Sequence, residues 1–251
     1  VSVVDATGIL RDVRRVKSPA ELAYLRQAGQ IADLGMKAAY KALQVGATEL
    51  DVHAEMTYAM LKAGGEPAAI YLPVASGKKT AATHGLASHK KIERGELVAI
   101  DICGVCRRYH ANLARTFSMG EPHPAVALHI KKSTDLFTGL TDRLYAGMPV
   151  NELTTYLRTF YEENGLWADR GWVGGYELGI AIPPDWDGPF TYDTEVDSGQ
   201  ASFESGMVIN LESTVYLPEG AGRSMTINTF EFAAGGVRRL TNFADQLQVI
   251  A

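Results

Sequence analysis

Two carboxylates sit where carboxylates are expensive. Asp101 interrupts the apolar run Leu97-Val-Ala-Ile-Asp-Ile102, and Glu212 interrupts Met207-Val-Ile-Asn-Leu-Glu-Ser213. An ionised group inside such a strand costs free energy unless a cation, a ligand or a catalytic partner answers it. A His-Gly pair, His84-Gly85, comes shortly before the first acid, and imidazole is the side chain best suited to taking and giving protons near neutral pH. An imidazole and two interior acids form a constellation fit for acid-base or nucleophilic chemistry, so the chain reads as an enzyme. Three roles are open to Asp101: orienting His84, holding a substrate cation, or attacking directly. Glu212 would pair with an ammonium, amidinium or guanidinium if ionised. Held neutral by burial, it would serve as an acid. The plain alternative for Glu212 is a buried carboxylate bonded to nearby backbone or to Arg115.

The elements that must position these groups follow from caps and periodicity. A helix is expected over 18–43, with Ser18 as N-cap, Pro19 at the first helical position, Glu21 three residues after the cap, and Leu22, Leu25, Ile31 and Leu34 at helical spacing. A second is expected from the Thr48 cap to Ala63, with Asp51 completing the cap and Gly64-Gly65 ending it. Strands are expected over 68–74, 96–103 and 108–118, the last two joined across Gly104-Val105. The pattern then repeats. A third helix runs from Pro124 through Leu144 and a fourth from an Asn151 cap to Asn164-Gly165, before strands over 176–182, 208–217, 226–232 and 237–240. Two helix-helix-strand halves sharing one curved antiparallel sheet, an α+β architecture, are the simplest reading. The cleft between the halves is a natural ligand site, and Pro183 to Pro189 would shape its wall.

Composition narrows the function classes. With 251 residues, 46% of them hydrophobic, the chain can bury a large core. A net charge of -5 argues against nucleic acid or an anionic membrane as partner. No apolar run reaches the roughly 20 residues of a membrane span, and no secretory signal pattern opens the chain, so a cytoplasmic location is expected. Arg11 to Lys17 reads as a solvated approach to the first long helix. The only cysteines form Cys103-Gly-Val-Cys106, with no second pair to complete a zinc site and no helix start to activate a thiol.

The ordered motifs Val16-Lys-Ser-Pro-Ala-Glu-Leu22, Thr83-His-Gly85, Asp101 with Arg115-Thr-Phe117, and Gly206-Met-Val-Ile-Asn-Leu-Glu212 with Tyr216 and Pro218 resemble the pita-bread family of aminopeptidase P, prolidase, methionine aminopeptidase and creatinase. The resemblance implies two pseudo-symmetric halves over residues 18–251 and a homodimer. It also implies that residues 1–17 are a connector from a separate N-terminal domain. Metallopeptidases of that family hold two metal ions with two Asp, one His and two Glu. Asp101 and Glu212 match the first Asp and the first Glu, but the other positions fall on Asn112, Tyr176 and Ile227. Glu177 would point to the opposite face of a strand, and Glu231 lies about 13 Å along its strand from Ile227. No tightly bound dinuclear centre, no metal ligand and no cofactor is therefore expected.

These departures, with Lys78 to His84, Arg107 to His110 and Ile182 to Trp186, look like the creatinase and ectoine-hydrolase side of the family. They imply metal-independent cleavage of a C–N bond in a small nitrogen-rich substrate. His84, Asp101 and Glu212 are the expected catalytic groups. His110 and Asn112 share a strand parity and would face the former metal site; with Tyr176, at the lost histidine's position, and Trp186 they are the expected substrate-binding groups. Trp167, Trp172 and Trp186 would form an aromatic wall for a cation. The other histidines read as structural or exposed, with His89 at the lip. Two competing readings stand beside this one: a metal-dependent Xaa-Pro peptidase with unusual ligands, and a non-catalytic binding module.

Overall fold

The computed structural model describes residues 3–188 and 190–251. Its helical start follows the cap chemistry closely. A short helix, α1 (Thr7–Arg15), precedes α2 (Pro19–Ala42) and α3 (Glu49–Lys62). Ser18 and Glu21 form a reciprocal capping box at α2, as Thr48 and Asp51 do at α3, each closing two otherwise unpaired backbone N–H groups. Helix α1 was not expected as a helix and contributes no buried residue.

Strands β1 (Val74–Ser76), β2 (Leu97–Cys106) and β3 (Tyr109–Met119) complete the first half. The expected strand over 68–74 begins only at its last residue. The hairpin turn lies at Arg107-Arg108, both at positive φ, and not at Gly104-Val105. Gly104 is a glycine for another reason: a Cβ there would meet the Ala28 carbonyl oxygen of α2 at 1.9 Å. Close helix packing reads as a turn when only the sequence is seen.

The second half opens with α4 (Pro124–Asp135), which gives way before the short α5 (Leu140–Arg143), with Gly139 at φ 69° between them. The single long third helix is thus broken. Helix α6 (Val150–Glu163) starts beyond Pro149, and Asn151 does not cap it but binds the Asp197 carboxylate and the Ser198 N–H instead. Strands β4 (Arg170–Tyr176), β5 (Thr191–Asp193), β6 (Val208–Tyr216), β7 (Arg223–Ala233), β8 (Gly236–Arg239) and β9 (Gln248–Ile250) follow. The strand expected over 176–182 in fact lies over β4. Its glycines, which resemble breakers, admit close neighbours: a Cβ on Gly175 would sit 2.0 Å from the Asn210 carbonyl oxygen.

One sheet runs β1-β2-β3-β7-β6-β4-β5, with β8 on β7 and β9 parallel to β3. Every other pairing is antiparallel. Helices cover one face: Ile100 and Ile102 enter a core with α2 and α3, while Ile209, Leu211 and Val215 enter a second core with Val126, Leu153 and Leu157. Alternation then sends Asp101, Asn210 and Glu212 to the face away from the helices.

Candidate active site

Register builds the site. Asp101 pairs with Ala114, Ala114 with Ile227, and Ile227 with Glu212, so the two acids end one row across β2, β3, β7 and β6. Between them lies an apolar patch of Ala99, Ala114, Met225 and Ile227. A cavity of about 400 Å³ opens over this row and is lined by Asp101, Glu212, His84, Tyr176, Trp186 and Arg223, among others.

A chain of amides joins the acids, and its direction is fixed by one backbone group. The Tyr176 N–H donates to Asn210 Oδ1 at 2.7 Å, so the Asn210 Nδ2 is free to donate. It does so to Asn112 Oδ1 at 3.0 Å and to Glu212 Oε1 at 2.8 Å. Asn112 Nδ2 in turn donates to Asp101 Oδ1 at 2.8 Å and to the Ile102 carbonyl at 3.0 Å. Each acid thus receives an amide N–H. Thr229 Oγ1 holds the Asn112 backbone from behind, and the Tyr192 hydroxyl holds the Asn210 carbonyl.

Burial pushes the Asp101 carboxyl up to about 6, against the Asn112 bond and the nearby His84 and Arg223 charges. Burial and the neighbouring Asp101 charge push Glu212 up to about 8, against help from Asn210, Tyr176 and Arg223. Burial and mutual repulsion oppose ionising both acids together, so the pair titrates as a unit. Between its two steps one acid carries charge and the other a proton.

His84 reaches the cavity from an exposed segment at φ 54°. Glu49, buried on α3, clamps both ends of that segment through Ser76, Ser88 and Lys79. The Trp186 indole N–H donates to the Tyr176 hydroxyl at 2.9 Å, and Trp172 stacks on the Tyr176 ring. Trp167 is elsewhere, under the Arg158 and Arg170 guanidiniums.

Two expected binding residues take other positions. His110 is buried outside the cavity, where its Nε2 accepts the Ala69 N–H and its Nδ1 meets the Arg108 carbonyl. Burial lowers its pKa to about 4, so it is a neutral structural group. Parity gave its face correctly but not its distance along the strand. Asn112 is fully buried behind the acids and organises them instead of lining the cavity. Arg115 is not the partner of Glu212; it is spent on Asp245, Asn228 and backbone carbonyls. Sequence reasoning missed Arg223, which faces the cavity from the first position of β7. An arginine directly after Gly222, at a strand's start, looks like an exposed edge residue.

Residues at the metal positions do not fit a dinuclear centre. Both polar ends of Asn112 are committed to the amide chain, Tyr176 Oη accepts from Trp186, and Ile227 belongs to the apolar patch. Glu177 is paired with Lys17 and Glu231 with Arg26, so neither turns toward the acids. Among the described residues, no cluster of three or more His, Cys, Asp or Glu forms a metal site.

An open antiparallel sheet carrying helices on one face and acids on the other defines a pita-bread protein. The chain belongs to metallopeptidase family M24, which matches residues 23–239. It is 29% identical over 239 residues to the Xaa-Pro dipeptidase of Pyrococcus horikoshii, covering 95% of this chain and 66% of that protein. It is 27% identical over 258 residues to the ectoine hydrolase of Halomonas elongata, covering 98% and 62%. The solved X-Pro aminopeptidase of Thermotoga maritima superposes with a TM-score of 0.86 at 25% identity over 97% of this chain and 66% of that one. The chain thus spans slightly less than two-thirds of the length of these relatives. No helix among the described residues is long and apolar enough to cross a membrane.

Proposed function

We propose that this chain hydrolyses a C–N bond in a small nitrogen-rich substrate (an amidine, guanidino compound or amide) by means of its own side chains. The observation carrying this reading is the pair Asp101 and Glu212, joined through Asn112 and Asn210 and facing one cavity, where burial raises both carboxyl pKa values. Asp101, ionised, attracts the substrate cation and accepts a proton from the attacking water, with His84 at the mouth available to pass it on. Glu212, protonated, gives its proton to the departing nitrogen as the C–N bond breaks. Trp186 and Trp172 supply aromatic surface beside the cation. A homodimer is part of the proposal, and light scattering of the purified chain tests it.

Two Xaa-Pro-cleaving relatives favour a second reading, a metal-dependent peptidase. A screen of cyclic amidines, guanidino acids and Xaa-Pro dipeptides, with EDTA or with Mn²⁺, separates the two. The first reading expects turnover of a non-peptide substrate unchanged by EDTA. Turnover only of dipeptides, lost in EDTA and restored by Mn²⁺, would replace it with the second.

A further inference from the structure

We propose that Arg223 is an anion anchor, so that the substrate of this cavity carries a carboxylate as well as a cationic nitrogen group. This extends the C–N reading by naming the second end of the molecule.

Arg223 is only 6% exposed, yet it lines the cavity. Its Nε has no hydrogen-bond partner. Its one side-chain bond runs from a terminal nitrogen to Thr83 Oγ1 at 3.5 Å. Among the described residues, no carboxylate forms an ion pair with it, unlike Arg26, Arg115 and Arg239. A buried guanidinium with open N–H groups is costly. Two oxygens of a carboxylate match the Nε edge of the guanidinium fork, a planar recognition that an ammonium cannot reproduce.

The anchor is held in place from behind. The Arg223 backbone N–H donates to Thr80 Oγ1 at 3.3 Å, and Gly222 at φ 101° lies so close to Thr80 that a Cβ would approach its hydroxyl to 2.0 Å. The strand entry is thereby fixed to the segment that carries Thr83 and His84. Arg223 acts on Asp101 and Glu212 through its charge alone, since the side-chain hydrogen bonds of the two acids come from Asn112 and Asn210. Asp185 and Asp187 line the same cavity. Four carboxylates against one arginine suit a ligand with a cation toward the acids and a carboxylate toward Arg223.

Calorimetric binding tests the anchor without requiring turnover. Guanidinoacetate and glycyl-proline are each titrated beside their primary amides into the full chain, as wild type, Arg223→Gln and Arg223→Lys, with melting curves showing that each variant folds. The expected result is that at least one acid binds wild type about tenfold or more tightly than its amide. Arg223→Gln should erase that gap by weakening the acid alone. Arg223→Lys, which keeps the charge and lacks the fork, should keep only part of it and serves if the glutamine variant does not fold. The anchor is overturned if wild type binds no acid better than its amide, including by binding neither, or if substitution weakens acid and amide alike. Absence of hydrolysis counts only against the C–N reading.

Discussion

Asp101 and Glu212 are the same chemical type in the same cavity, and their surroundings drive them apart. Activity should follow a bell in pH, with one limb near 6 as Asp101 ionises and the other near 8 as Glu212 loses its proton, both limbs belonging to the coupled pair. Initial rates across pH 4.5–9.5 check this, and Asp101→Asn should abolish turnover instead of moving a limb. Stability carries a second signature. Glu212 holds its proton in the folded chain up to about pH 8 but releases it near its ordinary value when unfolded, so wild type loses stability as pH rises between those limits. Melting temperatures of wild type and Glu212→Gln should diverge in favour of the variant from about pH 5 to 8 and then run parallel. A constant difference would mean that Glu212 is ionised throughout. At this scale the sequence is readable where a carboxylate breaks an apolar run, as Asp101 and Glu212 do, whereas Tyr176 is reached only through the family resemblance. His110 was misread because alternation reports a face and not a position. Arg223 was invisible because its burial comes from Thr80, Thr83 and the strand pairing, none of them local.

Among the elements, the starts of α2 and α3 were legible because the cap and its partner lie three residues apart and need no tertiary information, whereas α1 and α6 carry no side-chain cap to read. Strands were less so. Gly104 and Gly175 carry the marks of turns, yet each is small because a neighbouring backbone passes close by, a fact stored in the partner element. The real β2-β3 turn hides in Arg107-Arg108, two residues poorly suited to positive φ. Arg107 is exposed, whereas the Arg108 side chain binds the Pro67 and Ala181 carbonyls. Arg107→Asn should therefore stabilise the chain by about 0.5 kcal/mol through turn preference alone, read as a rise in the denaturation midpoint with an unchanged slope. A loss of stability would mean that the arginine makes contacts worth more than the strain it carries.

Across the whole molecule, one ion pair ties the approach to the first half into the wall of the cavity. Lys17 lies between α1 and α2, and Glu177 directly follows Tyr176; Nζ and Oε1 meet at 2.6 Å with both side chains about 1% exposed. Burial lowers the Lys17 pKa against the pull of Glu177. The Glu177 backbone bonds both the Phe190 carbonyl and the Gly188 N–H, closing the loop that carries Trp186. Breaking the pair by Lys17→Met leaves a buried carboxylate unanswered, a loss of about 3–5 kcal/mol in comparable buried pairs. The double variant Lys17→Met with Glu177→Gln removes the stranded charge and should recover most of that stability. Its catalytic cost should persist if the pair's purpose is to hold the loop and Trp186 over Tyr176. Chemical denaturation and steady-state kinetics on the single and double variants separate these effects: recovery of both stability and rate would show that the interior charge pair is replaceable, and that the loop needs no tether to its distant lysine.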